Sequence, residues 1–91
     1  MYCLVAYDIS NGHRLYKCSR LCEDFGVRVE KSLFECSFTE ASFNEFLRRL
    51  RWVIDPSRDR VIIYRLCESC RKDVRVFGPV SRPDDAPYYF V

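Results

Sequence analysis

The stretch Leu4 to Ser10, LVAYDIS, ends an apolar run on a carboxylate, Asp8, beside an aromatic, Tyr7, and then enters the turn-forming SNG. Two roles are open to an acid in that place. It faces a ligand at the carboxyl end of a strand, or it caps the turn and the helix that follows. A lone carboxylate is a poor site for Mg²⁺, which wants octahedral oxygens and is usually bound by one or two carboxylates together with water and substrate phosphate. No acid on the same strand stands near Asp8, but a two-fold dimer repeats every group of its interface and so supplies a second Asp8.

The other candidates for chemistry are weaker. His13, the only histidine, opens the next segment as a solvent-facing residue or a proton-transfer group, and no Ser or Cys nucleophile pattern accompanies it to suggest a covalent hydrolase triad. Of six cysteines, Cys3, Cys18, Cys22 and Cys36 stand where a small hydrophobe would serve and read as packed thiols. Cys67 to Cys70, CESC, is the one C-x-x-C; its alternatives are a redox pair, an occasional disulfide, and half of a zinc site completed by Cys18 and Cys22. Basic residues fall in groups: Arg14, Lys17 and Arg20; Arg28 and Lys31; Arg48, Arg49 and Arg51; Arg71, Lys72 and Arg75. A net charge of +2 is too small for a general polyanion binder. Such grouping in a nearly balanced chain points instead to a segregated surface, suited to phosphate backbones independently of sequence.

The elements that must position these residues can be read from periodicity. Tyr2 to Asp8 alternates as a strand, with Tyr2, Leu4, Ala6 and Asp8 on one face and Cys3, Val5 and Tyr7 on the other. Gly12 to Phe25 places Leu15, Cys18, Leu21, Cys22 and Phe25 at helical spacing, and Gly26 supplies the stop. Val27 to Phe38 reads as one long strand with room for a bulge near Lys31 and Ser32. Thr39 caps a second helix whose stripe is Phe43, Phe46, Leu47, Leu50 and Ile54, and Pro56 ends it. Arg60 to Leu66 is the next strand, CESCRKD a turn, and Val74 to Phe77 a short strand. The terminal Tyr88 to Val91 is strongly β-prone and has no hairpin partner after it, so it is expected to pair with an exposed sheet edge such as a dimer partner's.

Two amphipathic helices among antiparallel-prone strands predict an α+β sandwich of the ferredoxin-like βαββαβ type, with an extra C-terminal strand. The long segment 27–38 must then provide the second strand and the start of the third. The chain's 91 residues fit one small domain, 1–78, followed by a linker and strand, 79–91. At 48% hydrophobic and 15% aromatic residues it is not a disordered chain, and its apolar runs are too short to span a bilayer. The start, MYCLVAYD, lacks a basic region and carries Asp8 within its apolar segment, so a cytoplasmic protein is expected.

YDIS at the end of the first strand, GVRVEKSLFEC, IDPSRDRVIIYRLCESC and VFG occur in consistent order over residues 1–78. Together they resemble the second of the two universal CRISPR-associated proteins, the small subunit of the spacer-acquisition complex. The resemblance implies a ferredoxin-like homodimer whose C-terminal strands reach across to the partner sheet. It implies that Asp8 binds a divalent cation, Mg²⁺, one Asp8 from each protomer facing the other, with Tyr7 as the aromatic before it. It implies nucleic-acid contacts by Tyr7, Arg14, Lys17, Arg28, Ser32 and Phe34. Leu15 stands where some members have a further arginine, and Glu30 replaces the more usual glutamine.

Two kinds of function follow from the resemblance. Members are metal-dependent endonucleases acting on single-stranded RNA or double-stranded DNA, which gives Asp8 a catalytic role. The family's dimer also bridges two dimers of the integrase subunit and holds prespacer DNA, a structural role that needs no cleavage. A stand-alone RNA-cleaving toxin on the same fold shares these residues.

Overall fold

The computed structural model describes residues 1–77 and 89–90. Strand β1 (Tyr2–Asp8) is followed by helix α1 (Gly12–Phe25), strands β2 (Gly26–Glu30) and β3 (Leu33–Ser37), helix α2 (Glu40–Val53) and strand β4 (Arg60–Leu66). These six elements make the expected βαββαβ order. The strands form one antiparallel sheet in the order β2-β3-β1-β4, so each βαβ unit leaves a gap that a strand of the other fills.

Segment 27–38 is the main correction. It is a hairpin of two strands, as the βαββαβ order requires, and not the one long strand that its alternation suggests, with Lys31 and Ser32 as the turn. A bulge between Arg28 and Glu30 shifts the register, so Val29 and Phe34 are both buried although a continuous strand would put them on opposite faces. The stop at Gly26 is where the sequence puts it, but for a different reason. Gly26 has extended backbone; a Cβ there would lie 2.3 Å from the Glu35 carbonyl oxygen and 2.5 Å from Cys36 Sγ. Glycine allows β2 to close onto β3 directly after the helix.

The second helix starts as read. The Thr39 hydroxyl accepts the Ser42 N–H at 3.0 Å, and the Ser42 hydroxyl accepts the Thr39 N–H at 2.8 Å. Both helices cover the same face of the sheet. Cys3, Val5 and Tyr7 of β1 point into that layer with Cys18, Leu21, Cys22, Phe34, Phe46 and Leu50. The four cysteines of the core are fully buried free thiols, as expected, and burial pushes the Cys36 thiol up to about 12. Arg49 does not pair with Glu45, which binds Arg48; it reaches Asp24 at 2.9 Å and ties α2 to α1.

After β4, CESCRKD forms a short helix α3 (Glu68–Lys72) where a turn is expected, because the Cys67 sulfur accepts the Cys70 N–H and the Cys67 carbonyl accepts the Arg71 N–H. Strand β5 (Arg75–Val76) pairs in parallel with β6 (Tyr89–Phe90). Of the expected C-terminal linker and strand, residues 79–91, only Tyr89 and Phe90 are among the described residues. Among the described residues no helix is long and apolar enough to cross a membrane.

Candidate active site

The N-cap of α1 decides between the two roles of Asp8. Asn11, not Asp8, accepts the Arg14 N–H, at 2.9 Å, and so caps the helix. Asp8 is exposed at the carboxyl end of β1, and no ion pair or hydrogen bond to the described residues engages its carboxylate. It stands on a ridge. On one side is an open cleft of about 530 Å³ lined by Tyr7, Gly12, Leu15, Tyr16, Ser19, Arg28, Lys31 and Ser32. On the other is a hollow of about 290 Å³ on the sheet face turned away from α1 and α2, with Ala6, Tyr7, Arg60 and Ile62.

The cleft wall is rigid for reasons that begin with Tyr7. Its ring is buried and stacks on Phe34 at 6.2 Å, while its hydroxyl donates at 3.2 Å to the Lys31 carbonyl and meets the Ser19 hydroxyl at 3.2 Å. Burial pushes the Tyr7 phenol above its ordinary value. Arg28 donates to the same Lys31 carbonyl at 2.6 Å and to Ser19, reaches Glu23 at 3.3 Å, and lies 4.9 Å above the Phe34 ring. Ser32 completes the turn, its carbonyl accepting the Tyr7 N–H at 3.1 Å. The hairpin turn, α1 and the tip of β1 are thereby locked around the cleft.

Four residues expected at the site, Tyr7, Asp8, Arg28 and Ser32, come together, and three do not. Phe34 is fully buried and cannot touch nucleic acid; it is the floor on which Tyr7 and Arg28 rest. Arg14 turns away to form a two-pronged ion pair with the buried Asp59 carboxylate, at 2.7 and 3.1 Å. Lys17 is exposed on another side of α1, with Arg20, Arg49 and Trp52. His13 is exposed and outside the cleft lining.

Two partners escape sequence reading. Ser19 is a polar residue on the stripe of Leu15 and Cys22, and that interruption of an apolar face is the one signal it offers. Asp59 sits in the DPSRD segment, which reads only as a helix terminator, yet its side chain is 1% exposed and also accepts the Asp55 N–H at 2.8 Å. The Arg14 guanidinium holds the Asp59 carboxyl below its ordinary value of 3.8. A carboxylate depressed in the folded state adds stability that is present above its unfolded pKa and is lost as pH falls through its folded pKa. Asp59→Asn is therefore expected to lower Tm at pH 7 by several degrees and to flatten the decline of Tm below about pH 4. Superimposable Tm–pH curves for the variant and wild type would show that the pair contributes nothing.

Residues 1–74 match the family model described as CRISPR associated protein Cas2. The chain belongs to the Cas2 family. It is 43% identical over 93 residues to the CRISPR-associated endoribonuclease Cas2 1 of Moorella thermoacetica, covering 96% of this chain and 97% of the relative. It is 30% identical to the CRISPR-associated endonuclease Cas2 of Halalkalibacterium halodurans, over 86% of each chain. The crystal structure of Streptococcus pyogenes Cas2 at pH 6.5 superposes with a TM-score of 0.79 at 36% identity, covering 86% of this chain and all of that one. The fold read from the sequence is thus that of solved Cas2 structures. The Cas2 match contains every residue of the cleft and both ends of the Arg14–Asp59 pair.

Proposed function

We propose that this chain acts in the cytoplasm as the small nuclease subunit of a CRISPR spacer-acquisition complex. In this reading it is a homodimer that binds DNA or RNA, cleaves phosphodiester bonds with Mg²⁺ at a site shared by two copies of Asp8, and bridges dimers of the integrase subunit. The observation that carries the proposal is the unengaged Asp8 carboxylate, which lines both the open cleft and the hollow on the sheet face opposite α1 and α2. Similarity to proteins named endoribonuclease and endonuclease supports the reaction class.

The sheet itself supports the dimer. With Cys3, Val5 and Tyr7 turned to the helices, register places Leu4 beside Tyr64, and Ala6 beside Leu33 and Ile62, on the opposite face. Neither α1 nor α2 covers that face; α3 meets it only at the Tyr2 end, where Arg71 lies 4.7 Å over the Tyr2 ring, and Asp8 with its neighbour Arg60 lies at the other end. Burying an apolar sheet face against its own copy is favourable at about 25 cal/mol per Å². It brings the ends of the two β1 strands into one interface.

Among the described residues no group of three or more His, Cys, Asp or Glu could hold a metal ion, and Asp8 is the one acid that lines the cleft and the hollow. Two Asp8 carboxylates, completed by water and phosphate oxygens, suit the sparse protein ligation that Mg²⁺ accepts. Bound there, a divalent cation polarises the scissile phosphate and makes water a better nucleophile. The chain's own residues supply the rest. Arg28, Lys31 and Ser32 on the cleft rim orient the phosphate backbone, and Tyr7, pinned by Ser19 and the Lys31 carbonyl, keeps the turn in place. Lys17 makes a more distant electrostatic contact. Arg14 acts by positioning the start of α1 through Asp59.

Ile62→Asp tests the shared site. A carboxylate from each copy in the middle of the sheet face is expected to weaken dimerisation by roughly 10²-fold or more. Sedimentation should then show a monomer, and cleavage of labelled single-stranded RNA and duplex DNA in Mg²⁺ should disappear as it does with EDTA. A wild type that sediments as a monomer, or a monomeric variant that still cleaves, would overturn the proposal.

A further inference from the structure

Four of the six cysteines are buried in the core; Cys67 and Cys70 are exposed. They stand where β4 has left the four-stranded sheet and the chain turns toward β5. Two polar groups meet the Cys67 sulfur. The Cys70 N–H reaches it at 3.4 Å and the Ser69 hydroxyl lies 3.3 Å away. Ser69 and Cys70 hold Cys67 down to about 7, while the neighbouring Cys67 raises Cys70. One thiol is therefore substantially ionised near neutral pH, and the other stays protonated beside it. The zinc alternative fails on its ligands, since Cys18 and Cys22 are buried under the sheet and no third donor joins the pair among the described residues.

We infer that Cys67 and Cys70 form a reversible thiol–disulfide exchange site whose substrate is a low-molecular-weight disulfide of the glutathione type. The Cys67 thiolate attacks one sulfur of that disulfide, forming a mixed disulfide and expelling one small thiolate. Cys70 then gives its proton to solvent and attacks the Cys67 sulfur. The Cys67–Cys70 bond forms, and the second small thiolate leaves and is protonated. The two protein thiols have lost two electrons and two protons, and the small disulfide has become two thiols. The resulting ring lies in the segment between the four-stranded sheet and the β5–β6 pair, so oxidation constrains the path between the two sheets.

The test incubates the full chain with glutathione disulfide at neutral pH, quenches with iodoacetamide and maps the modified peptides by mass. Both side chains are exposed, so serine at either position leaves the core intact. Wild type is expected to lose two alkylatable thiols and to yield a Cys67–Cys70 crosslinked peptide, with the four buried cysteines unreacted. Cys70→Ser should stop at one glutathione adduct on Cys67. Cys67→Ser should lose the crosslink and react at Cys70 at least about tenfold more slowly than wild type does at Cys67. The inference is overturned by stable adducts on wild type without ring closure, by no reaction at Cys67 in Cys70→Ser, or by a Cys67→Ser protein as reactive as wild type.

Discussion

Asp8→Asn is expected to reduce Mg²⁺-dependent cleavage of RNA and duplex DNA by roughly 10²-fold or more while moving Tm by no more than a few degrees. In the proposed site the loss is large because asparagine keeps the shape of the side chain and removes the charge that would hold a cation, from both copies at once. The small effect on stability follows from the surroundings. Asp8 is exposed, caps no helix and has no ion-pair partner among the described residues, so the fold loses nothing when its charge goes. Sedimentation should be the same as for wild type, and labelled-substrate assays in Mg²⁺ give the rate. Equal rates in the two proteins would assign any cleavage to another site.

Phe34→Ala is expected to cost about 3–5 kcal/mol of folding stability, a large part of the roughly 5–15 kcal/mol typical of a whole domain. Tm should fall on the order of 20 °C, read by thermal unfolding. Phe34 is fully exposed to nothing but protein: 0% of its surface reaches solvent, Tyr7 stacks on one side and Arg28 lies over the ring. Its effect on nucleic-acid contact is indirect, through the wall that it supports. A Phe34→Ala protein with unchanged Tm and weakened RNA or DNA binding would return the residue to the surface role that family likeness implies.

Phe34 also shows where sequence reading stops. Periodicity sufficed for α1 from Gly12 to Phe25, for the Thr39 cap of α2 and for β4 from Arg60 to Leu66, because one-sided burial imposes the spacing directly. It failed at the β2–β3 hairpin. The turn at Lys31 and Ser32 has no Gly, Asn or Pro to mark it, and the bulge after Arg28 breaks the alternation that would have located the core face. Family likeness named Tyr7, Asp8, Arg28 and Ser32, which do meet in space. It could not separate a residue that contacts a ligand from one that holds such a residue, as with Phe34, or reveal that Arg14 is committed to an acid 45 positions away. Those distinctions depend on burial and on long-range pairing, which spacing along the chain does not encode.

The Mn²⁺ stoichiometry, measured by calorimetric titration of wild type and Asp8→Asn, tests the proposed shared centre most directly. The proposal predicts one ion per two chains in wild type and none in the variant at the same concentrations. One ion per chain, or a binding curve that Asp8→Asn leaves unchanged, would contradict it.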